Sequence, residues 1–214
     1  MTMLMKIRDK FVVGVCNARL NQFADMFEPT LRDDVLNHCY IAGGAIYSLY
    51  NLKRPKDYDI FCDTPELTNR ILQYLGCDNV KDKILRYGHA TYNGVTFSDN
   101  AATIGKFQFV YKFVGKWLDV LAEFDFKHNM YAVHCNKVVT LNNTTNRNYL
   151  STKKLTFNTL RPRDISGVLL RIPKFVGRGF FITKKEHALI LEKLNTSDPH
   201  EISLIEKYSK GLGY

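Results

Sequence analysis

The sequence predicts an α+β protein: a mixed sheet flanked by helices, followed by a basic helical and loop extension. Three observations predict it. Apolar runs of strand length, such as Cys39 to Ala42 and Lys106 to Val114, are interleaved with segments whose apolar residues recur at helical spacing. The 214 residues are 45% hydrophobic and 13% aromatic, enough for a substantial core in one domain with an appendage. The net charge of +9 is uneven: residues 131–214 hold 14 Lys/Arg against 6 Asp/Glu, which leaves 16 against 15 in residues 1–130. We therefore expect a core over 1–140 and a basic extension over 141–214 packed on it. Basic charge of this kind points to a polyanion, a nucleic acid or a triphosphate, unless it serves solubility alone.

Taken in order, residues 3–27 read as a helix with Leu4, Ile7, Phe11, Val15, Phe23 and Met26 at turn spacing, broken at Glu28-Pro29. Thr30, with Asp33 three residues on, reads as the cap of a helix over 31–38. Cys39 to Ala42 is a short buried strand. Gly43 and Gly44 end it, and Ala45 to Leu52 is helical through Ile46, Leu49 and Tyr50. A second strand carries Asp57-Tyr58-Asp59-Ile60. A helix opens at Pro65 and runs to Gly76. Ile84 to Phe97 alternates around a hairpin signal, Asn93-Gly94. Asn100 to Ile104 and Lys106 to Val114 are strands, Lys116 to Glu123 a helix, and Phe124 to His128 a strand. Residues 141–163 are a loop rich in Asn and Thr, and Lys184 to Leu194 and Pro199 to Tyr208 are the last helices.

The chemistry concentrates in two stretches. A strand that enters a helix through Gly43-Gly44 brings bare backbone to a place that favours anions, so Gly44→Val is expected to damage phosphate binding. Alternation puts the Asp57 and Asp59 side chains on one face, roughly 7 Å apart, with Tyr58 and Ile60 on the other. Two carboxylates so close repel unless a cation lies between them, and oxygen-only ligands suit Mg²⁺ or Mn²⁺. Lys53, Arg54 and Lys56 in the intervening loop either touch phosphates or neutralise the acidic strand.

Hydrophobic-Gly-Gly, twelve residues, then Asp-hydrophobic-Asp-hydrophobic resembles the signature of the nucleotidyltransferase superfamily, which includes DNA polymerase beta, poly(A) polymerases and tRNA CCA-adding enzymes. The amphipathic Phe107 to Phe113, the Phe124-Asp125-Phe126 stretch, and Arg171 to Phe175 with Gly179-Phe180 resemble nucleotidyltransferase-like proteins of bacteriophages. Together the likeness spans about residues 38–182. It implies two-metal transfer of a nucleoside monophosphate from an NTP to an acceptor hydroxyl. Asp57 and Asp59 would hold the metals, and Gly43 and Gly44 would seat the triphosphate. It also implies a third carboxylate on a later strand, for which Asp125 is the candidate and Asp119, on a helix, the rival; Asp125→Ala should then be nearly inactive. The acceptor expected is an RNA end, with a protein hydroxyl or a non-catalytic binding role as alternatives. Arg161, Arg163, Arg171, Lys174 and Arg178, interleaved with Phe175, Phe180 and Phe181, would grip RNA by backbone charge and base stacking; the alternative is a solvated basic face. Ile46-Tyr47-Ser48 stands where CCA-adding enzymes carry an Arg-Asp pair, a departure that weighs against the CCA reaction itself.

Other chemistries find no pattern. No Gly-x-x-x-x-Gly-Lys-Ser/Thr loop occurs. His128, His134 and Cys135 lack a fourth zinc ligand, and no serine and histidine pairing suggests a nucleophile. Five cysteines without a Cys-x-x-Cys read as buried residues of a reducing compartment. Lys6, Arg8, Asp9 and Lys10 interrupt any signal-peptide shape. A cytoplasmic protein is expected, in the host cytoplasm if phage-encoded.

Overall fold

In the computed structural model, which describes residues 2–141 and 147–196, one eight-stranded mixed sheet organises the chain. Helices α1 (Met3–Ala24) and α2 (Pro29–His38) lead into β1 (Cys39–Ala42) and α3 (Gly44–Tyr50). Strand β2 (Tyr58–Cys62) is followed by α4 (Pro65–Tyr74) and α5 (Lys81–Tyr87). Four strands follow, β3 (His89–Tyr92), β4 (Val95–Ser98), β5 (Ala101–Ile104) and β6 (Phe107–Val110), and then α6 (Trp117–Ala122). The hairpin β7 (Tyr131–His134) and β8 (Lys137–Thr140) completes the sheet, and α7 (Ile165–Val176) and α8 (Lys184–Asn195) close the described chain.

The strand order is β3-β4-β5-β6-β2-β1-β7-β8. Only β2 and β6 run parallel; every other pair is antiparallel. The two motif strands β1 and β2 thus lie near the middle, where both faces are covered. On one face Cys39, Ile41, Tyr58, Ile60, Cys62 and Phe109 meet Val12, Phe23, Val35, Ile46 and Ile71 of α1 to α4. On the other, Tyr40, Ala42, Phe61 and Ala132 meet Val120 and Leu121 of α6. A third apolar cluster joins Phe126, Leu155 and Phe157 to Ile165 and Val168 of α7 and Ile190 of α8.

Local chemistry explains several boundaries. Pro29 takes the first turn of α2 with Glu28 at the cap, so Thr30 lies inside the helix rather than capping it. Asn93 and Gly94 both adopt positive φ, 46° and 78°, as the primed turn of the β3–β4 hairpin demands. Residues 84–87, expected at the start of an alternating stretch, belong instead to α5. Of the apolar residues at turn spacing, Leu4, Ile7 and Phe11 are exposed while Phe23 is buried; Val12 and Cys16 join Phe23 where α1 meets the core. The expected strand from Phe124 to His128 is only one isolated bridge, Phe126 to Phe157, followed by a 3-10 turn over Lys127–Asn129. The β7–β8 hairpin has no counterpart among the expected elements. The helix expected from Pro199 to Tyr208 lies outside the described residues. No helix among them is long and apolar enough to cross a membrane.

Candidate functional site

The site is built where β1 ends and β2 begins. Ala42 pairs with Asp59 in the antiparallel ladder, so the glycine turn after β1 stands directly beside the acidic strand. Gly43 adopts φ 88° and ψ −142°, backbone that only glycine enters readily. A Cβ there would stand 3.3 Å from Asp59 Oδ2 and 3.7 Å from the Phe124 ring. The Gly43 N–H donates to the Tyr131 carbonyl at 2.9 Å, so it serves the sheet and is not available to a phosphate. Gly44 is the first residue of α3, with open space around it and no positive φ. The conformational demand expected at Gly44 therefore sits at Gly43, while Gly44 lines the cleft. We expect Gly43→Ala to cost about 1–3 kcal/mol in chemical denaturation and Gly44→Ala well under half of that. Equal costs would remove the special role of the Gly43 turn.

Asp57, just before β2, and Asp59, on it, both line a cleft of about 460 Å³. Its walls include Gly44 and Ser48 of α3, Lys53 and Lys56 of the preceding loop, and Lys174 and Arg178 at the end of α7. Cations from two separate parts of the chain thus line the same cleft as the carboxylate pair. Burial pushes the Asp59 carboxyl up to about 7; the neighbouring Asp57 charge raises it further and Lys174 opposes the shift. Near neutral pH Asp59 is thus poised between its two forms. Two hard oxygen donors in this state fit a divalent cation, which would draw Asp59 to its ionised form.

Asp125, the candidate third carboxylate, does not line this cleft. Among the described residues no group of three His, Cys, Asp or Glu side chains converges. Asp125 sits at a bend, without the strand that would have aligned it with the sheet, and is engaged by arginines. Arg171 donates to it twice, at 2.5 and 2.9 Å, and Arg161 Nη1 lies 3.2 Å away. Both arginines also reach Asp164, at 3.0 Å each. On the strand beside Asp59 the facing residue is Gln108 of β6, an amide that also lines the cleft. Asp119 is exposed on α6.

The basic residues divide. Lys53, Lys56, Lys174 and Arg178 come together in the cleft, whereas Arg54 is exposed outside its lining. Arg161 is 4% exposed and Arg171 is bound to two aspartates, so neither presents a free charge to RNA. Arg163 is exposed but pairs with Glu123 at 3.2 Å and lies over the Phe113 ring. All three arginines share one feature: each is ion-paired with acids close to it in the fold.

Sequence reasoning passes over Gln108, Tyr47 and Asn129 as site residues, and considers His128 only as a zinc ligand; all four line the cleft. Alternation around Phe107 and Phe109 is enough to put Gln108 on the polar face. Its register with Asp59 depends on a parallel pairing across an intervening run of three strands.

A family model described as Gabija anti-defense 2 family protein matches residues 18–151, more than half of the chain. No curated protein matches it. Among solved structures the chain is similar to the Thermotoga maritima CCA-adding enzyme complexed with tRNA_CCA, at 16% identity and a TM-score of 0.46, over 81% of this chain and 43% of that one. It is also similar to a tRNA nucleotidyltransferase complexed with a primer tRNA and an incoming ATP analog, at 18% identity and a TM-score of 0.40, over 74% and 47%. A tRNA-processing enzyme with CTP gives 18% identity and a TM-score of 0.42, over 74% and 43%. The chain spans less than half the length of each of these proteins.

Proposed function

The chain belongs to the Gabija anti-defense 2 family, and we propose that it is a divalent-metal-dependent nucleotidyltransferase that moves a nucleoside monophosphate from an NTP to an acceptor hydroxyl. The observation that carries this reading is the Asp57 and Asp59 pair in one cleft with Lys53, Lys56, Lys174 and Arg178. Carboxylates and cations lining the same cleft suit a metal-bound triphosphate, which carries both signs of charge.

In this reading Asp57 and Asp59 would hold Mg²⁺ or Mn²⁺, which would neutralise phosphate charge and lower the pKa of an acceptor hydroxyl. Lys53, Lys56, Lys174 and Arg178 bind the phosphates. The Gly43 turn keeps the backbone close behind Asp59. A bond forms from the acceptor oxygen to the α-phosphorus, the bond to pyrophosphate breaks, and the acceptor proton leaves to solvent. The acidic set is two residues with Gln108 beside them; Asp125 has a positioning role instead, because through Arg171 it holds α7, the helix that carries Lys174 to the cleft. Residues 1–140 act as the catalytic core, and residues 141–214 as an extension that supplies Lys174 and Arg178.

The acceptor favoured is an RNA end, supported by the excess of basic residues after residue 130. The family description points to a setting of counter-defence, consistent with a phage-encoded protein whose acceptor belongs to the defence it opposes. RNA binding should weaken steeply with salt as phosphates release counterions. Replacing Lys53 and Lys174 together by alanine should flatten that slope, by about one unit for each phosphate no longer neutralised, while Arg171→Lys leaves it nearly unchanged. An unaltered slope in the lysine variant would place RNA elsewhere.

A second reading is that the fold binds its target without chemistry, favoured by the amide of Gln108 where a third acid would complete the set. Incubation with each radiolabelled NTP, Mg²⁺ or Mn²⁺, and total RNA or total protein as acceptor separates the two. Label on RNA supports the favoured reaction, label on protein redirects it to a protein hydroxyl, and salt-sensitive binding with no label in any arm supports the binding role.

A further inference from the structure

One end of the cleft is unlike the rest. Tyr47 of α3, His128 of the 3-10 turn, and Phe175 and Phe180 after the Pro173 turn of α7 form a continuous ring cluster. The His128 ring lies 4.5 Å from Phe180, at a shallow 34°, and 5.2 Å edge-on from both Tyr47 and Phe175. Tyr47 and Phe180 lie 5.2 Å apart. All four rings line the cleft that holds Asp57, Asp59 and the lysines.

Two features set this cluster apart from ordinary core. His128 is 1% exposed, yet its Nδ1 has no hydrogen-bond partner. A buried polar atom in that condition is costly, and native proteins rarely leave one unmet. Tyr47, Phe175 and Phe180, by contrast, are only half-buried. The cluster therefore combines accessible aromatic carbon with an unmet polar atom.

Resting on the nucleotidyltransferase reading above, we propose that Tyr47, His128, Phe175 and Phe180 form the subsite for the nucleobase of the incoming nucleoside triphosphate. The chemistry of the rest of the cleft selects this occupant. The carboxylates and cations account for a metal-bound triphosphate, and about 460 Å³ leaves room for more than three phosphates. What remains is an aromatic end for a flat, neutral, polar-edged ring. Aromatic side chains stack any base, and His128 Nδ1 is a polar atom among these rings that still lacks a partner. Burial lowers the His128 imidazolium to about 3, so the ring is neutral at physiological pH and carries one donor and one acceptor. Lys53, Lys56, Lys174 and Arg178 exclude a cationic guest from this place. Tyr47 is held for the role: its hydroxyl donates to the Thr152 carbonyl at 3.0 Å, which fixes the ring.

Calorimetric binding of the four nucleoside triphosphates and of inorganic tripolyphosphate, each with Mg²⁺, tests this. The intact chain should bind at least one nucleoside triphosphate about tenfold or more tightly than tripolyphosphate. Phe180→Leu, which keeps apolar volume but loses the ring, and His128→Leu should erase that preference while tripolyphosphate binding stays the same. A melting curve establishes that each variant is folded, and Tyr47→Leu serves as a third variant should either one unfold. If tripolyphosphate binds as tightly as every nucleoside triphosphate, or the folded variants keep the preference, the base subsite is overturned and the phosphate cleft stands. If neither tripolyphosphate nor any nucleoside triphosphate binds, the nucleotidyltransferase reading fails and the base subsite with it.

Discussion

If the proposed reaction holds, replacing Asp57 and Asp59 together by asparagine should lower metal-dependent transfer at least about a thousandfold and leave the fold intact, without lowering the melting temperature in metal-free buffer. The rate loss follows from removing both hard donors of the cleft, which is worth several kcal/mol of transition-state stabilisation. The stability result follows from electrostatics. In the folded chain the Asp59 carboxyl stands at about 7 against an ordinary 3.8, raised by burial and by Asp57. Because the folded state holds that proton more tightly, ionised Asp59 opposes folding. The cost is absent below pH of about 4, grows as pH rises toward 7, and is complete above it, on the order of 2–4 kcal/mol. The variant should therefore melt above the unmodified chain at pH 8, with the difference shrinking toward pH 4. Mg²⁺ should raise the melting temperature of the unmodified chain and not of the variant. A clear drop in metal-free melting at pH 8 would make the pair a structural feature of β2 instead.

The cleft also marks the limit of what local pattern reveals. Asp59 and the glycine turn are legible because each depends on a short-range rule, alternation along a strand and glycine where a strand bends into a helix; Asp57 lies one residue outside β2 and still lines the same cleft. The order of strand and helix from Cys39 to Cys62 follows from the same rules, as does the Asn93-Gly94 hairpin. What cannot be read depends on pairings across long sequence separations. The Phe124-Asp125-Phe126 alternation is genuine in the sequence, and Phe126 is buried. Its partner, however, is Phe157 in an isolated bridge rather than a sheet neighbour of β2. Lys174 and Arg171 are three residues apart on one helix, yet one lines the cleft and the other is held by Asp125 and Asp164. That division is set by where α7 lands, which no local spacing states. The apolar spacing of Leu4 to Phe11 misleads for a related reason: an apolar stripe identifies a helix but does not say which turns the core reaches.

Asp125→Ala should be the most destabilising single change in the site region, by about 3–5 kcal/mol, and its loss of activity should follow from that. Asp125 is the common acceptor of Arg161 and Arg171, and Arg161 is almost wholly enclosed. Deleting the carboxylate leaves a buried guanidinium with one fewer counter-charge, a far larger penalty than losing an exposed pair. For a chain of this length each kcal/mol moves the melting temperature by roughly 2–4 °C, so a fall of about 10 °C is expected. Asp164, which both arginines also reach, should soften the effect without replacing it. Asp125→Asn, which keeps the shape and two acceptor positions on one oxygen, should lie between. The contrast with a metal ligand is measurable. If Asp125 acts through the arginines, then Asp125→Ala assayed well below its melting temperature should keep its metal requirement and the midpoint of its Mg²⁺ titration. Exchanging Asp125, Arg161 and Arg171 together for apolar residues of similar size should then recover much of the stability, because the isolated charge rather than the missing pair causes the penalty. A stable Asp125→Ala protein whose Mg²⁺ midpoint rose severalfold would instead return Asp125 to the metal site beside Asp57 and Asp59.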